Sequence, residues 1–129
     1  MKTHHQAALG VAAGRTALGL YALARPGPIS RSWLGQHVDG VTAPLFGRTL
    51  GARDLALGAG AVWALASRPG DRPVVAAFVA AGAMADLTDA AVTFAGWRNL
   101  PSPWKQVTAA AALGSGVTGG IVAGLLAAG

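Results

Sequence analysis

Four apolar stretches, 7–24, 49–66, 73–95 and 106–128, occupy most of this chain, and each is as long as a membrane-crossing helix. A bilayer core takes about 20 mostly apolar helical residues, within a range of roughly 17–25. A water-soluble bundle of the same helices would need a charged outer face on every one of them. The sequence cannot supply four such faces. Only 12% of its residues are charged, it has no Glu, and its five acids are Asp39, Asp54, Asp71, Asp86 and Asp89. The expected fold class is therefore all-α: an integral membrane four-helix bundle, with residues 1–129 forming a single transmembrane domain.

The residues between the stretches agree with these boundaries. Pro26, Pro28, Pro44, Pro69, Pro73, Pro101 and Pro103 fall between spans or at a first helical position, where a missing N–H costs nothing. Trp97 and Trp104 bracket the third connection, and Trp63 lies near the end of the second span. Tryptophan favours the head-group level because its ring is apolar and its N–H polar. The first connection is long for a helix hairpin. Within it, Ile29–Val38 reads either as a short interfacial helix, with Ile29, Trp33, Leu34 and Val38 on one side and Arg31, Ser32, Gly35 and Gln36 on the other, or as an irregular loop anchored by Trp33. Lys2 and Ala22-Leu23-Ala24 resemble parts of a cleaved signal, but Arg15 interrupts the apolar region, so the first span is expected to be retained. The first and third connections carry Arg25, Arg31, Arg48, Arg98 and Lys105, against Lys2, Arg68 and Arg72 opposite. The positive-inside rule then places both termini outside the cytoplasm.

Five charges fall inside the spans: Arg15, Arg53, Asp54, Asp86 and Asp89. Each costs about 2.5–3.5 kcal/mol at mid-membrane on insertion scales, so each calls for a partner or a purpose. At a rise of ~1.5 Å per residue from the face holding the first and third connections, Arg15 and Asp86 lie roughly 13–14 Å deep and Arg53, Asp54 and Asp89 roughly 7–9 Å. Matching depths predict that Arg15 pairs with Asp86, and Arg53 with Asp89 or Asp54. Asp86 and Asp89 share one helix face, which Gly82 and Thr93 extend, and that face should look into the bundle. These pairs either fix which helices pack together or line a polar cavity in which a carboxylate works on a lipophilic substrate.

Other chemistries find little support. Cysteine is absent, so thiolate catalysis and thiolate metal sites are excluded. His4, His5 and His37 lack helical ligand spacing, and no histidine within a span serves a serine nucleophile; no metal or cofactor is expected. Asp86-x-x-Asp89 alone is too small a set for magnesium and a diphosphate substrate. The basic residues are scattered, which argues against nucleic acid despite a net charge of +5. Gly114-Ser115-Gly116-Val117-Thr118-Gly119 matches a dinucleotide-binding pattern but lies inside an apolar helix with no preceding strand. Its glycines are better read with Gly116, Gly120 and Gly124, spaced by four for close helix packing within the chain or in a homo-oligomer, and Gly10 and Gly14 offer a smaller version.

The second span opens with Gly51-Ala52-Arg53-Asp54-Leu55-Ala56-Leu57-Gly58. This stretch, together with the aspartates of the third span, resembles a family of small four-helix bacterial integral membrane proteins with a G-x-R-D-L-x-L-G motif opening the second helix. The resemblance covers roughly the last three spans and implies that Arg53, Asp54 and Asp89 are recurring positions. The long first connection and Asp86 depart from the family pattern. The resemblance supports the fold and the bacterial cytoplasmic membrane as location, and implies no reaction.

The leading functional expectation is a non-enzymatic bundle that binds a lipid, a lipophilic small molecule or a membrane partner through Arg15, Arg53, Asp54, Asp86 and Asp89. One alternative is an intramembrane acid–base enzyme of the isomerase or cyclase type, with Asp86 or Asp89 as the catalytic proton donor. Another is a proton-coupled small transporter with Asp86 as the coupling carboxylate.

Overall fold

The computed structural model describes residues 3–38, 40–68 and 70–129, with Lys2 as backbone alone. Of the residues named above, Asp39, Pro69 and the side chain of Lys2 lie outside the described residues. The described chain is all-helical, in five helices: α1 (Lys2–Ala24), α2 (Pro26–Leu34), α3 (Thr42–Ser67), α4 (Arg72–Ala95) and α5 (Trp104–Ala128). Three of them, over Thr3–Ala24, Arg72–Ala95 and Trp104–Ala128, are long and apolar enough to cross a membrane. α3 is not among these. Its 26 residues would reach ~39 Å, but Arg53-Asp54 and several glycines dilute its apolar content.

The side chains are distributed the opposite way from a water-soluble bundle. Large apolar residues such as Leu20, Met84, Val92, Val117 and Ile121 are exposed. The interior is mostly alanine, glycine and valine, and its largest fully buried side chains are Thr93 and Ser30. Water would penalise so much exposed hydrocarbon, whereas acyl chains do not, and small residues then allow close helix contact.

The helices form two closely packed pairs, α1 on α3 and α4 on α5, joined mainly through α3 and α4. In the first pair the backbones nearly touch. A Cβ built at Gly58 would lie 2.5 Å from the Thr16 nitrogen and 2.9 Å from the Ala12 oxygen, and one at Gly51 would lie 2.8 Å from the Gly19 oxygen. In the second pair, Gly116 and Gly119 receive Leu87 and Ala83 of α4. The expected four-residue repeat on α5 is therefore not one packing surface within the chain. Gly116 is covered by α4, while Gly120 and Gly124 have open space where a side chain would be, as do Gly10 and Gly14 on α1. The contact ridge of α5 instead runs through Gly116, Gly119, Val122, Ala123 and Leu126.

The first connection holds a helix, but not the one expected over Ile29–Val38. α2 begins at Pro26, whose ring suits a first helical turn. It stops before Gly35, whose φ of +113° breaks the helix. Nor does Trp33 face outward. Ser30 is fully buried and donates to the Pro26 oxygen (2.9 Å) and the Ala43 oxygen (2.5 Å), tying α2 to the start of α3. Trp33 packs edge-on against Phe46, and its Nε1 donates to Thr93 Oγ1 of α4 at 3.1 Å. Trp63 and Trp104 are exposed near helix ends, and the Lys105 ammonium lies over the Trp97 ring while donating to its carbonyl.

The bundle interior has two halves. Toward the α3–α4 turn, Ala8, Ala12, Ala61, Leu65, Val79 and Leu126 belong to one continuous apolar core. Toward α2, the interior is polar.

Candidate functional site: a charge network with two openings

Every ionisable residue expected inside the spans meets in that polar half. Arg15 sits on α1, one turn from Gly19, where close α1–α3 contact brings its guanidinium over to α3. There Arg15 Nη1 donates to Asp54 Oδ1 at 2.8 Å. Its Nη2 donates to the Gly82 carbonyl at 3.1 Å and also to Asp86 Oδ2, both on α4. A Cβ at position 82 would strike the Arg15 guanidinium, so glycine there opens the path across to α4. Arg53 pairs with Asp89 through two parallel bonds, Nη1 to Oδ1 at 2.9 Å and Nη2 to Oδ2 at 2.7 Å. Such a fork fixes orientation as well as charge. Arg53 also approaches Asp54 Oδ1 at 3.3 Å.

The expected Arg15–Asp86 and Arg53–Asp89 pairs are thus present, and Asp54 links them by accepting from both arginines. The Arg15–Asp54 bond escaped the depth argument, which gave each level its own partners. A guanidinium on a long side chain spans the difference. Two further residues join the network. Ser115 of α5 donates its hydroxyl to Asp86 Oδ2 at 2.5 Å, bringing the fourth long helix into the network. Thr93, expected only to extend the stripe, donates to the Asp89 carbonyl at 2.6 Å and accepts from Trp33. Ser115 lies within the Gly114–Gly119 segment, where the glycine pattern dominates and a single hydroxyl between two glycines carries no signal of its own.

The inner part of the network is mostly shielded. The side chains of Arg15, Asp54 and Asp86 are 9%, 4% and 10% exposed, against 32% for Arg53. Among the described residues, no buried side-chain nitrogen or oxygen lacks a hydrogen-bond partner. Low local dielectric strengthens each of these bonds and raises the cost of removing either partner.

Two openings reach the network from different sides. The first is a pocket of about 370 Å³ between α2, α3 and α4, with Trp33, Phe46, Leu50, Val92 and Leu100 among its walls and Arg53 and Asp89 within it. The second is a groove of about 320 Å³ between α1 and α5, lined by Gly10, Gly14, Leu18, Gly114 and Thr118, with Arg15, Asp86 and Ser115 at its polar part. Both volumes sit at the lower end of small-molecule sites. Asp89 has both oxygens engaged by Arg53, so the arrangement suits holding a polar group better than handing over a proton. Asp86 uses Oδ2 for both of its donors, and Oδ1 accepts no hydrogen bond among the described residues. No grouping of three or more potential metal ligands occurs among the described residues. Comparison with family models, with curated proteins and with solved structures finds no match.

Proposed function

We propose that this chain is a small polytopic membrane protein whose α1, α3, α4 and α5 all cross the bilayer, and that it binds a lipophilic molecule in the pocket beside Arg53 and Asp89. Inclusion of α3 as the fourth span rests on where its charges go. Arg53 and Asp54 are met by Arg15 and Asp89 from neighbouring helices, so their cost in hydrocarbon is offset inside the bundle. The membrane proposed is the bacterial cytoplasmic one, on the strength of the Gly51–Gly58 motif.

The binding reading rests on one observation: a pocket with predominantly apolar walls reaches a fixed, oriented ion pair. Apolar walls take up a chain or ring, while Arg53 can donate to, and Asp89 accept from, the polar end of an amphiphile. The occupant proposed is a membrane lipid or a lipid-like small molecule, bound without chemical change.

The experiment is native mass spectrometry of protein released from gentle detergent. The wild type should carry a co-purifying amphiphile in roughly one-to-one ratio. Leu50→Trp, which fills the pocket, should remove it while the protein stays folded. A wild-type protein free of adducts after mild extraction, or an adduct indifferent to Leu50→Trp, contradicts the reading.

A further inference from the structure

The network holds three carboxylates and two guanidiniums, and the surplus negative charge falls on Asp54 and Asp86 together, of which Asp86 lines an opening. Arg53 directs two nitrogens at Asp89, which matches that pair one to one. Arg15 must then serve Asp54 and Asp86 together, with only longer contacts from Arg53 to Asp54. No other cation among the described residues forms an ion pair with either carboxylate. Arg68 pairs with Asp71, and His4, His5 and Arg72 line a separate cleft.

The surplus lies beside an open space. Asp86 is 7% exposed and lines the groove between α1 and α5. Its Oδ2 takes the donors from Arg15 and Ser115, and Oδ1 has no donor among the described residues. The groove exists because glycines stand at its walls: a Cβ at Gly10, Gly14 or Gly114 would meet nothing within 4 Å. A carboxylate that shares its one cation with a second carboxylate is incompletely compensated beside hydrocarbon. Its complement is a positive charge carried on an apolar body.

We propose that the groove between α1 and α5 binds a lipophilic organic cation, a substituted ammonium whose charge lies against Asp86 and whose apolar arm runs along Val11 and Leu18. A volume of about 320 Å³ accommodates a quaternary ammonium with one ring or short chain. The groups facing Asp86 are Arg15 from α1, Asp54 from α3 and Ser115 from α5, with Asp89 further along α4. This cavity is distinct from the pocket at Arg53 and Asp89, and shares with it the placement of the helices in a bilayer and the link through Asp54, which accepts from both arginines.

The test is equilibrium dialysis of radiolabelled benzyltrimethylammonium against the protein in phosphatidylcholine nanodiscs, with empty discs as blank. Saturable binding near one per chain is expected. Asp86→Asn should weaken it by about thirtyfold or more, as for loss of one partner of a buried charge pair. Gly114→Leu should abolish it by filling the groove while leaving the charges in place, so the outcome does not depend on Asp86→Asn folding. Leu50→Trp, which blocks the other pocket, should leave it intact. Neopentylbenzene, of the same shape without the charge, should not compete. Absence of saturable binding, unchanged binding in Gly114→Leu, or equal competition by the uncharged compound overturns the proposal. An adduct-free native spectrum would count against the amphiphile pocket alone.

Discussion

At the level of single residues, the network predicts which aspartate the protein can spare. Asp89 is gripped by two guanidinium bonds, so Asp89→Asn should destabilise the folded protein by about 1 kcal/mol or more, the upper part of the range for polar contacts in membranes. Asp86 shares Arg15 with Asp54, and Asp86→Asn removes a surplus charge while Ser115 keeps a partner. Its effect should be near neutral. Arg15→Ala should cost clearly more in the wild type than in an Asp86→Asn background, because the wild type is left with two carboxylates and no cation between them. Reversible unfolding of the four variants gives the comparison, and strictly additive effects would remove Arg15 and Asp86 as a coupled pair. These pairings were legible in the sequence because depth along a helix is simple arithmetic. Arg15 reaching Asp54 was not, because side-chain reach blurs a level by several ångström, and Ser115 was hidden by the glycine pattern around it.

At the level of helices, the two tight pairs depend on glycine at different places. Gly58→Ala drives a methyl group into the α1 backbone at Thr16 and Ala12, and should cost about 1–3 kcal/mol as overpacking. Gly120→Ala meets nothing and should be neutral or slightly stabilising, since alanine restricts the unfolded chain. Thermal unfolding of the two purified variants separates them, and similar losses would mean that α5 packs elsewhere. Gly51 and Gly58 share the face of α3 that meets α1, but in the sequence the same stretch is dominated by the charges of Arg53 and Asp54. Docking of α2 was less legible, since it turns on Ser30 bonding a carbonyl thirteen positions away and on Trp33 reaching Thr93. Trp33→Phe should keep the ring and lose the bond, loosening α2. Faster proteolysis between α2 and α3 would register it, and unchanged cleavage would mean that the Phe46 contact alone holds the helix.

For the whole molecule, an apolar half and a charged half share one bundle, with α3 as the helix whose placement decides the rest. α1, α4 and α5 qualify as spans by composition alone, whereas α3 qualifies only if its charges are satisfied by its neighbours. If it crosses, the connection holding α2 and the connection before α5 share one face, and the termini and the α3–α4 turn share the other. The chain has no cysteine, so single substitutions report position cleanly. The decisive measurement is labelling of His5→Cys, Gln36→Cys, Gly70→Cys and Ser102→Cys by an impermeant maleimide in intact cells and in inverted vesicles. Gln36→Cys and Ser102→Cys should react from one side, and His5→Cys and Gly70→Cys from the other. Labelling of Gln36→Cys and Gly70→Cys from the same side would show that α3 does not cross, and the interior charge network would lose its membrane setting.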